Sequence, residues 1–302
     1  MKIESLFIHY RIGNLSHKIL KCYEIWMNDS RKYRVNAICL VKNEDDIIAQ
    51  TLTHAAQYCD KIFVLDNGSS DSTWEIVQSL SREHGTIVPF KQILIPYSRE
   101  HRGIVYHEVG HKLTEDDWWL VLDGDEFLDE DPQPVIEQAV KEGADLIRTW
   151  QVQFYFTEVD LRQWETGQDL RDKPVFDRRR YYLINWQEKR LFRNKPNLQW
   201  INSNAPQGLD KVCSRRIFNR HYAFRDPDQI QKRLKIRFGH PSCFRHVRST
   251  DWISVLRESK KLIYHQDGEP WRFRFSGLFY YYRRRFMRRA RKKTQRAINW
   301  AR

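Results

Sequence analysis

The sequence lacks any long apolar run: no stretch approaches the roughly 18 uninterrupted apolar residues of a membrane-spanning helix. The first fourteen residues mix Glu4, His9 and Arg11 with apolar side chains, which is not typical of a secretory signal. The five cysteines are scattered and form no C-x-x-C pair, which argues against a disulfide framework or a cysteine-rich zinc site. We therefore expect a protein of the reducing cytoplasm.

The 302 residues are 41% hydrophobic and 14% aromatic, enough for a sizeable core and too apolar for wholesale disorder. The net charge of +13 is uneven, because residues 281–302 contain ten Lys or Arg and no acid. With the aromatic residues before it, this basic tail predicts contact with an anionic membrane surface, at the inner face of the cytoplasmic membrane. Nucleic acid is not expected as a partner, since the body shows no nucleic-acid module; a solvated, partly disordered tail is the alternative.

From residue 35 onward, short apolar runs alternate with segments of helical periodicity. Strands are predicted at 35–41, 61–65, 86–89 and 118–122, and helices at 45–58, 72–84 and 100–113. This alternation predicts an α/β fold with a mostly parallel sheet, whose ligand binds at the carboxyl ends of the strands. Later in the chain we predict strands at 146–155 and 190–193, a loop-like stretch at 157–180, and helices at 226–238 and 251–265.

The turn Asp123-Gly124-Asp125-Glu126 directly follows the apolar run WWLVL. Three carboxylates in four residues repel one another unless a cation is present. Mg²⁺ and Mn²⁺ favour a few carboxylates together with phosphate oxygens, so the turn predicts a divalent cation site. A solvated acidic turn is the alternative. Asp66 ends another predicted strand, where it could accept hydrogen bonds from a nucleobase or ribose, or form an Asx-turn.

The segment His107–His111 matches H-E-x-x-H, the pattern of zinc proteases, and lies in a predicted helix. Gly110 weakens that helix, and no third ligand follows at the usual spacing. A zinc-dependent hydrolase is therefore kept as an alternative function, next to a non-catalytic basic binding protein.

Three blocks in order, VKNEDDIIAQTL, CDKIFVLDNGSSDST and DDWWLVLDGDEFL, resemble the amino-terminal half of family 2 glycosyltransferases of the GT-A fold, of the bacterial envelope-glycan type. The resemblance implies transfer of a sugar from a nucleotide-diphospho-sugar to a glycan or lipid-linked acceptor, with inversion and with Mn²⁺ or Mg²⁺ as cofactor. It also implies a GT-A domain over 35–250, with a nucleotide-binding half (35–130) and an acceptor half (131–250). Residues 1–34 would be an extension packed on the core, and 251–302 a helical, basic tail.

The resemblance further implies roles for single residues. Those implied to bind the nucleotide are Val41, Asn43, Glu44, Asp66, Arg102 and Asp123. Asp125 would hold the cation, with Asp123 and His221 as further candidates; a packed histidine is the alternative for His221. The stretch 201–208, where many relatives carry the catalytic base, contains no carboxylate. Glu188 is our first candidate for the base and Asp210 the second, although Glu188 could instead pair with Arg190 or Arg193.

Overall fold

The computed structural model describes residues 31–201, 203–240, 244 and 247–274. Our predictions for residues 1–30 and for the basic tail at 281–302 lie outside these residues. The strands are β1 (Val35–Val41), β2 (Lys61–Asp66), β3 (Ile87–Gln92), β4 (Trp118–Asp123), β5 (Glu126–Leu128), β6 (Leu146–Phe154), β7 (Tyr181–Arg193), β8 (Val212–His221) and β9 (Ile263–Tyr264). The helices are α1 (Ile48–Ala55), α2 (Thr73–Glu83), α3 (Arg102–Val109), α4 (Gln133–Lys141), α5 (Glu158–Glu165), α6 (Val175–Arg178) and α7 (Pro227–Arg237). No helix in this described part is both long and apolar enough to cross a membrane.

The first half of the sheet is parallel, as the apolar runs predict. β1 pairs in parallel with β2 and with β4, and β2 pairs in parallel with β3. All seven residues of β1 are buried, because α1, α2 and α4 pack on one face of the sheet and α3 on the other. A strand covered on both faces has no position for a solvated side chain, which explains its continuous apolar sequence.

The second half of the sheet is mixed. β7 is antiparallel to both β4 and β6, β8 runs parallel to β6, and β5 pairs antiparallel with β8. The strand order is β3-β2-β1-β4-β7-β6-β8-β5, with β9 paired to β7. β5 starts only three residues after β4 ends, but in this order it lies four places away from β4, at the edge of the sheet. The acidic turn between them is therefore where the chain leaves the parallel half of the sheet for the mixed half.

Two sequence predictions are wrong in this second half. The stretch 157–180 is not loop-like: it contains α5 and α6, and Thr157 and Asp160 form a capping box at the start of α5. Residues 251–265 do not form a helix but two 3₁₀ turns and β9. The reason is a strand-like contact: the backbone N–H of Arg257 donates to the carbonyl of Phe156, so helical hydrogen bonding stops there. The segment predicted as a short strand at 190–193 is the end of the thirteen-residue β7.

Candidate active site

A cavity of about 210 Å³ opens at the carboxyl ends of β1 and β4. Both halves of the fold line it: the β1–α1 loop and the β4–β5 turn from the first half, and β7, β8 and α7 from the second. Its lining carboxylates are Glu44, Asp45, Asp46, Asp71, Asp123, Asp125 and Glu188. Its lining lysines and arginines are Lys42, Arg99, Arg102, Arg171, Arg190, Lys232, Arg233 and Arg237. A cavity so rich in guanidinium groups suits a ligand that carries phosphate.

The β4–β5 turn is held closely against the β1–α1 loop. A Cβ atom on Gly124 would lie 3.1 Å from Val41 Cγ1 and 3.3 Å from Glu44 Cγ, so glycine allows this close approach. The hydroxyl of Thr51 donates to the Gly124 carbonyl at 2.7 Å, and the backbone N–H of Tyr222 donates to the Asp125 carbonyl at 2.9 Å. The turn is therefore fixed from both halves of the fold.

Asp123 is paired with two buried arginines. Its Oδ1 accepts a hydrogen bond from Arg102 of α3, and its Oδ2 lies 3.0 Å from Nη2 of Arg190 in β7. Burial alone would raise the pKa of Asp123, but the charges of Arg190 and Arg102 outweigh burial and hold this pKa far below its usual range. Asp123 is thus ionised, and only part of its side chain remains exposed to the cavity.

Asp125 is more deeply buried and faces a different set of basic side chains. Its Oδ1 lies 3.4 Å from His221 Nε2, and its Oδ2 lies 3.0 Å from Nη1 of Arg233. Burial would raise the pKa of Asp125, but Arg233 and His221 lower it well below the ordinary value. The pKa of His221 is raised in return, since the charge and hydrogen bond of Asp125 outweigh the effect of burial. The predicted metal ligands Asp125 and His221 therefore lie together, whereas Asp123 turns toward its arginines.

The side chains around Asp125 can be compared with those that a divalent cation requires. No group of three or more His, Cys, Asp or Glu side chains able to hold a metal occurs within the described ranges. Oδ2 of Asp125 is buried and lies within ion-pair distance of Arg233, but it accepts no hydrogen bond from any described residue. One carboxylate and one imidazole are too few by themselves, but Mg²⁺ and Mn²⁺ are commonly held by one or two carboxylates and the phosphates of a substrate.

Val41, Asn43 and Glu44, predicted at the nucleotide, all line the cavity. Asn43 has a positive φ of 55°, and its side-chain oxygen accepts from the backbone N–H of Ser70 at 2.8 Å. Its own backbone N–H donates to the Ser69 hydroxyl at 2.9 Å. The loops after β1 and β2 are therefore tied together on this side of the cavity. Burial raises the pKa of Glu44 although the arginines of the second half oppose the rise.

Asp66 is fully buried at the end of β2 and is not among the residues that line the cavity. Its Oδ1 accepts the backbone N–H of Ser69 at 2.7 Å, which is the Asx-type turn considered as the alternative. Its Oδ2 is buried and has no hydrogen-bond partner among the described residues. A role of Asp66 toward a nucleobase stays a prediction.

The two candidates for the base are separated by the fold. Glu188 lines the cavity from β7, where its Oε2 lies 2.7 Å from Nη2 of Arg190 and its Oε1 accepts from Trp186 Nε1 at 2.9 Å. Asp210 lies elsewhere, with an 86% exposed side chain whose Oδ2 is 3.6 Å from Lys195 Nζ. Asp210 is therefore not placed to reach a substrate in this cavity, because it precedes β8 at the other end of the strand.

The H-E-x-x-H segment does not form a zinc site in the described chain. His107 and His111 line a second cavity, together with the segment 194–199. Glu108 is instead turned to the surface, where it pairs with Lys91. Since a metal-dependent hydrolase needs both histidines and a third ligand, this geometry gives the alternative function no support.

The sequence analysis missed several arginines of the site, among them three that lie in α7 or just before it. Arg225, just before α7, is fully buried and pairs with Glu44 and with Asp46. Arg233 and Arg237 extend from α7 into the cavity wall. The available signal was their spacing, since 233 and 237 are four residues apart and so lie on one face of a helix. Which carboxylates they meet depends on the docking of the two halves, which no local pattern contains.

Comparison with known proteins assigns the chain to a family. The family model described as "Glycosyl transferase family 2" matches residues 37–220, which is more than half of the chain. No curated protein matches. A similar solved structure is "Crystal structure of GalNAc-T7 with UDP, GalNAc and Mn2+", at 11% identity and a TM-score of 0.39, covering 68% of this chain. The chain spans about half the length of that structure, since 47% of the solved chain is covered.

Proposed function

Because the chain belongs to glycosyl transferase family 2 and has the GT-A fold, we propose that it moves a sugar from a nucleotide-diphospho-sugar to a glycan or lipid-linked acceptor, with inversion and with a divalent cation. The observation that carries the proposal is the shared cavity. Asp123 and Asp125, at the end of β4, meet the β1–α1 loop and the guanidinium groups of the second half in one cavity. This arrangement matches the chemistry of a diphosphate leaving group, which needs neutralisation by cations as it departs.

Asp125 and His221 are the side chains that would hold Mn²⁺ or Mg²⁺, and the bound cation would act as a Lewis acid on the diphosphate. Arg102 and Arg190 keep Asp123 ionised and oriented toward the cavity. We place the nucleotide against Val41, Asn43, Glu44, Arg102 and Asp123, with Asp66 behind them.

Glu188 is our candidate for the general base. In the transfer, Glu188 takes the proton of the acceptor hydroxyl while the acceptor oxygen attacks the anomeric carbon. The bond between that carbon and the diphosphate oxygen breaks, and the nucleoside diphosphate leaves from the opposite face, which inverts the configuration. The support is position: Glu188 is the one carboxylate of the described cavity lining that the acceptor half contributes.

The proposal is tested by thermal unfolding with UDP, GDP, CMP and dTDP, each with and without Mn²⁺. A specific ligand at a hundredfold excess over its Kd stabilises the folded protein by about 2.7 kcal/mol, so one nucleotide should raise Tm most, and more so with Mn²⁺.

Activity is tested with two matched variants. Asp125→Asn is expected to lower the rate of sugar transfer about a thousandfold. Glu130→Gln changes an acidic surface residue outside the cavity and is expected to retain the rate. Absence of stabilisation by every nucleotide, or full activity of Asp125→Asn, would contradict the proposal.

The acceptor side of the proposal includes the cytoplasmic membrane face. The ten basic residues of 281–302, after a run of aromatic residues, give the chain a segment suited to anionic lipid. Removal of 281–302 is expected to abolish co-sedimentation with phosphatidylglycerol vesicles and to leave nucleotide-dependent stabilisation unchanged. Equal vesicle binding by the full chain and by the chain without 281–302 would contradict the proposed membrane contact and would leave the proposed sugar transfer unaffected.

A further inference from the structure

Arg233 lies directly beside Asp125, the side chain that would hold the metal. Its Nη1 lies 3.0 Å from Asp125 Oδ2 and 3.0 Å from Glu44 Oε1, so a single guanidinium bridges the β4–β5 turn and the β1–α1 loop. The side chain of Arg233 is only 10% exposed, and it belongs to the cavity lining. The guanidinium of Arg233 is therefore a buried counter-ion of Asp125 and Glu44, unlike the exposed ion pairs of the protein surface.

Both oxygens of Asp125 face basic side chains in this state. Oδ1 faces His221, while Oδ2 faces Arg233, with Nη1 of Arg225 farther away at 3.7 Å. A guanidinium and a divalent cation cannot share one carboxylate oxygen without strong repulsion, because the site is shielded from water. Metal binding to Asp125 thus requires that Arg233 move away from it.

The surroundings of Arg233 permit such a movement. Arg225 independently holds the second oxygen of Glu44 at 2.5 Å and both oxygens of Asp46, so these carboxylates keep a partner when Arg233 leaves. Arg233 also lies on a helix whose neighbouring residues Lys232 and Arg237 line the same cavity. A diphosphate arriving there would offer the guanidinium an alternative anion with several oxygens.

We propose that Arg233 is the counter-ion of Asp125 in the donor-free enzyme and exchanges that carboxylate for the donor's diphosphate, so that the metal binds with the donor and not before it. This inference rests on the proposed function. It makes Arg233 a positioning residue that sets the order of binding. Its consequence is that Mn²⁺ alone binds weakly and that loss of the Arg233 charge removes the obstacle.

The test is titration of the nucleotide-free protein with Mn²⁺, with the free ion followed by electron paramagnetic resonance. Arg233→Gln is expected to bind Mn²⁺ about tenfold more tightly than the unaltered protein. Lys232→Gln removes the adjacent cavity charge, which no ion pair joins to Asp125 among the described residues, and is expected to change Mn²⁺ affinity by less than about twofold. Arg233→Met is a second variant, with a side chain that can pack in place of the arginine stem.

Adding saturating UDP or GDP, whichever raises Tm more, should reduce the difference between Arg233→Gln and the unaltered protein to less than about threefold, because Arg233 has then already left Asp125. Equal Mn²⁺ affinity of Arg233→Gln and the unaltered protein without nucleotide would overturn the inference, as would an equal gain in Lys232→Gln. Failure of both Arg233 variants to fold would also overturn it, since a residue needed in place for folding cannot leave during binding. If no nucleotide raises Tm, the proposed function fails, while the titration with Mn²⁺ alone still decides the role of Arg233.

Discussion

The two halves of the fold bring opposite charges to one cavity. Residues 35–130 supply nearly all of its carboxylates, on loops that follow buried parallel strands. Residues 131–274 supply most of the guanidinium groups that neutralise them, from β7 and α7. The first half is thus an acidic surface built on an apolar sheet, and the cavity is closed only where the second half packs against it. On the proposed function, the same ion pairs would serve both the cohesion of the halves and the work of the cavity.

The largest effect on this docking is expected from Arg225→Met. Arg225 is completely buried and holds Glu44 and Asp46 of the β1–α1 loop. Removing one partner of a buried ion pair leaves uncompensated charge, so the free energy of unfolding should fall by about 3–5 kcal/mol in chemical denaturation.

The control for Arg225→Met is Arg215→Met, which removes a half-exposed ion pair between β8 and Glu130. This variant should change the free energy of unfolding by less than about 1 kcal/mol, because solvent screens surface pairs. Equal losses in the two variants would mean that the buried network adds nothing to the cohesion of the halves.

The difference between the two halves also explains which parts of the fold and of the site could be predicted from the sequence. The positions of β1 and β4 follow from their apolar runs, because a strand that is buried on both faces is apolar at nearly every residue. The turn at Asp123 and Asp125 follows from its position after such a strand. For β7 this reasoning fails: the strand carries Glu188 and Arg190 toward the cavity, so charges interrupt its apolar pattern. Arg190 is buried there only because it is paired with carboxylates.

Arg190 illustrates the limit in physical terms. Its side chain is 2% exposed and contacts Glu188 in its own strand and the two ends of the β4–β5 turn, Asp123 and Glu126. A lone arginine in a sequence predicts an exposed position, since burying an unpaired charge is costly. Only the assembled set of carboxylates makes its burial possible, and that set is a property of tertiary structure. The carboxylates and the pairing of Glu188 with Arg190 were therefore accessible to sequence analysis, while the pairing of Arg190 with Asp123 and Glu126 was not.

Glu188→Gln is expected to have a smaller effect, on the rate of sugar transfer and not on stability. This variant tests whether the second half supplies a catalytic group in addition to arginines. If Glu188 is the base, kcat for sugar transfer should fall about a hundredfold while the donor KM changes by less than about twofold. Asp210→Asn should leave both constants unchanged, because Asp210 lies outside the cavity. If Glu188 instead serves to hold Arg190, the variant would weaken donor binding, and a raised KM at an unchanged kcat would contradict its role as base.

The smallest effect concerns His54, a titratable group of the first half that faces the second. Burial, aided by the charge of Arg220 in β8, lowers the pKa of His54 from 6.5 to about 4. The folded state then binds fewer protons than the unfolded state between these values, so the free energy of unfolding should be complete above pH 6.5 and decline as pH falls toward 4. The full shift corresponds to about 3 kcal/mol, which partial exposure of the ring reduces to about 1–2 kcal/mol.

The free energy of unfolding of the unaltered protein and of His54→Gln is measured by chemical denaturation at pH 7.5, 6.5, 5.5 and 4.5. Because glutamine does not titrate, the difference between the two proteins isolates the contribution of His54. If this difference stays constant over the whole pH range, the pKa of His54 is not lowered by its burial or by the charge of Arg220. The two halves would then not interact electrostatically at His54.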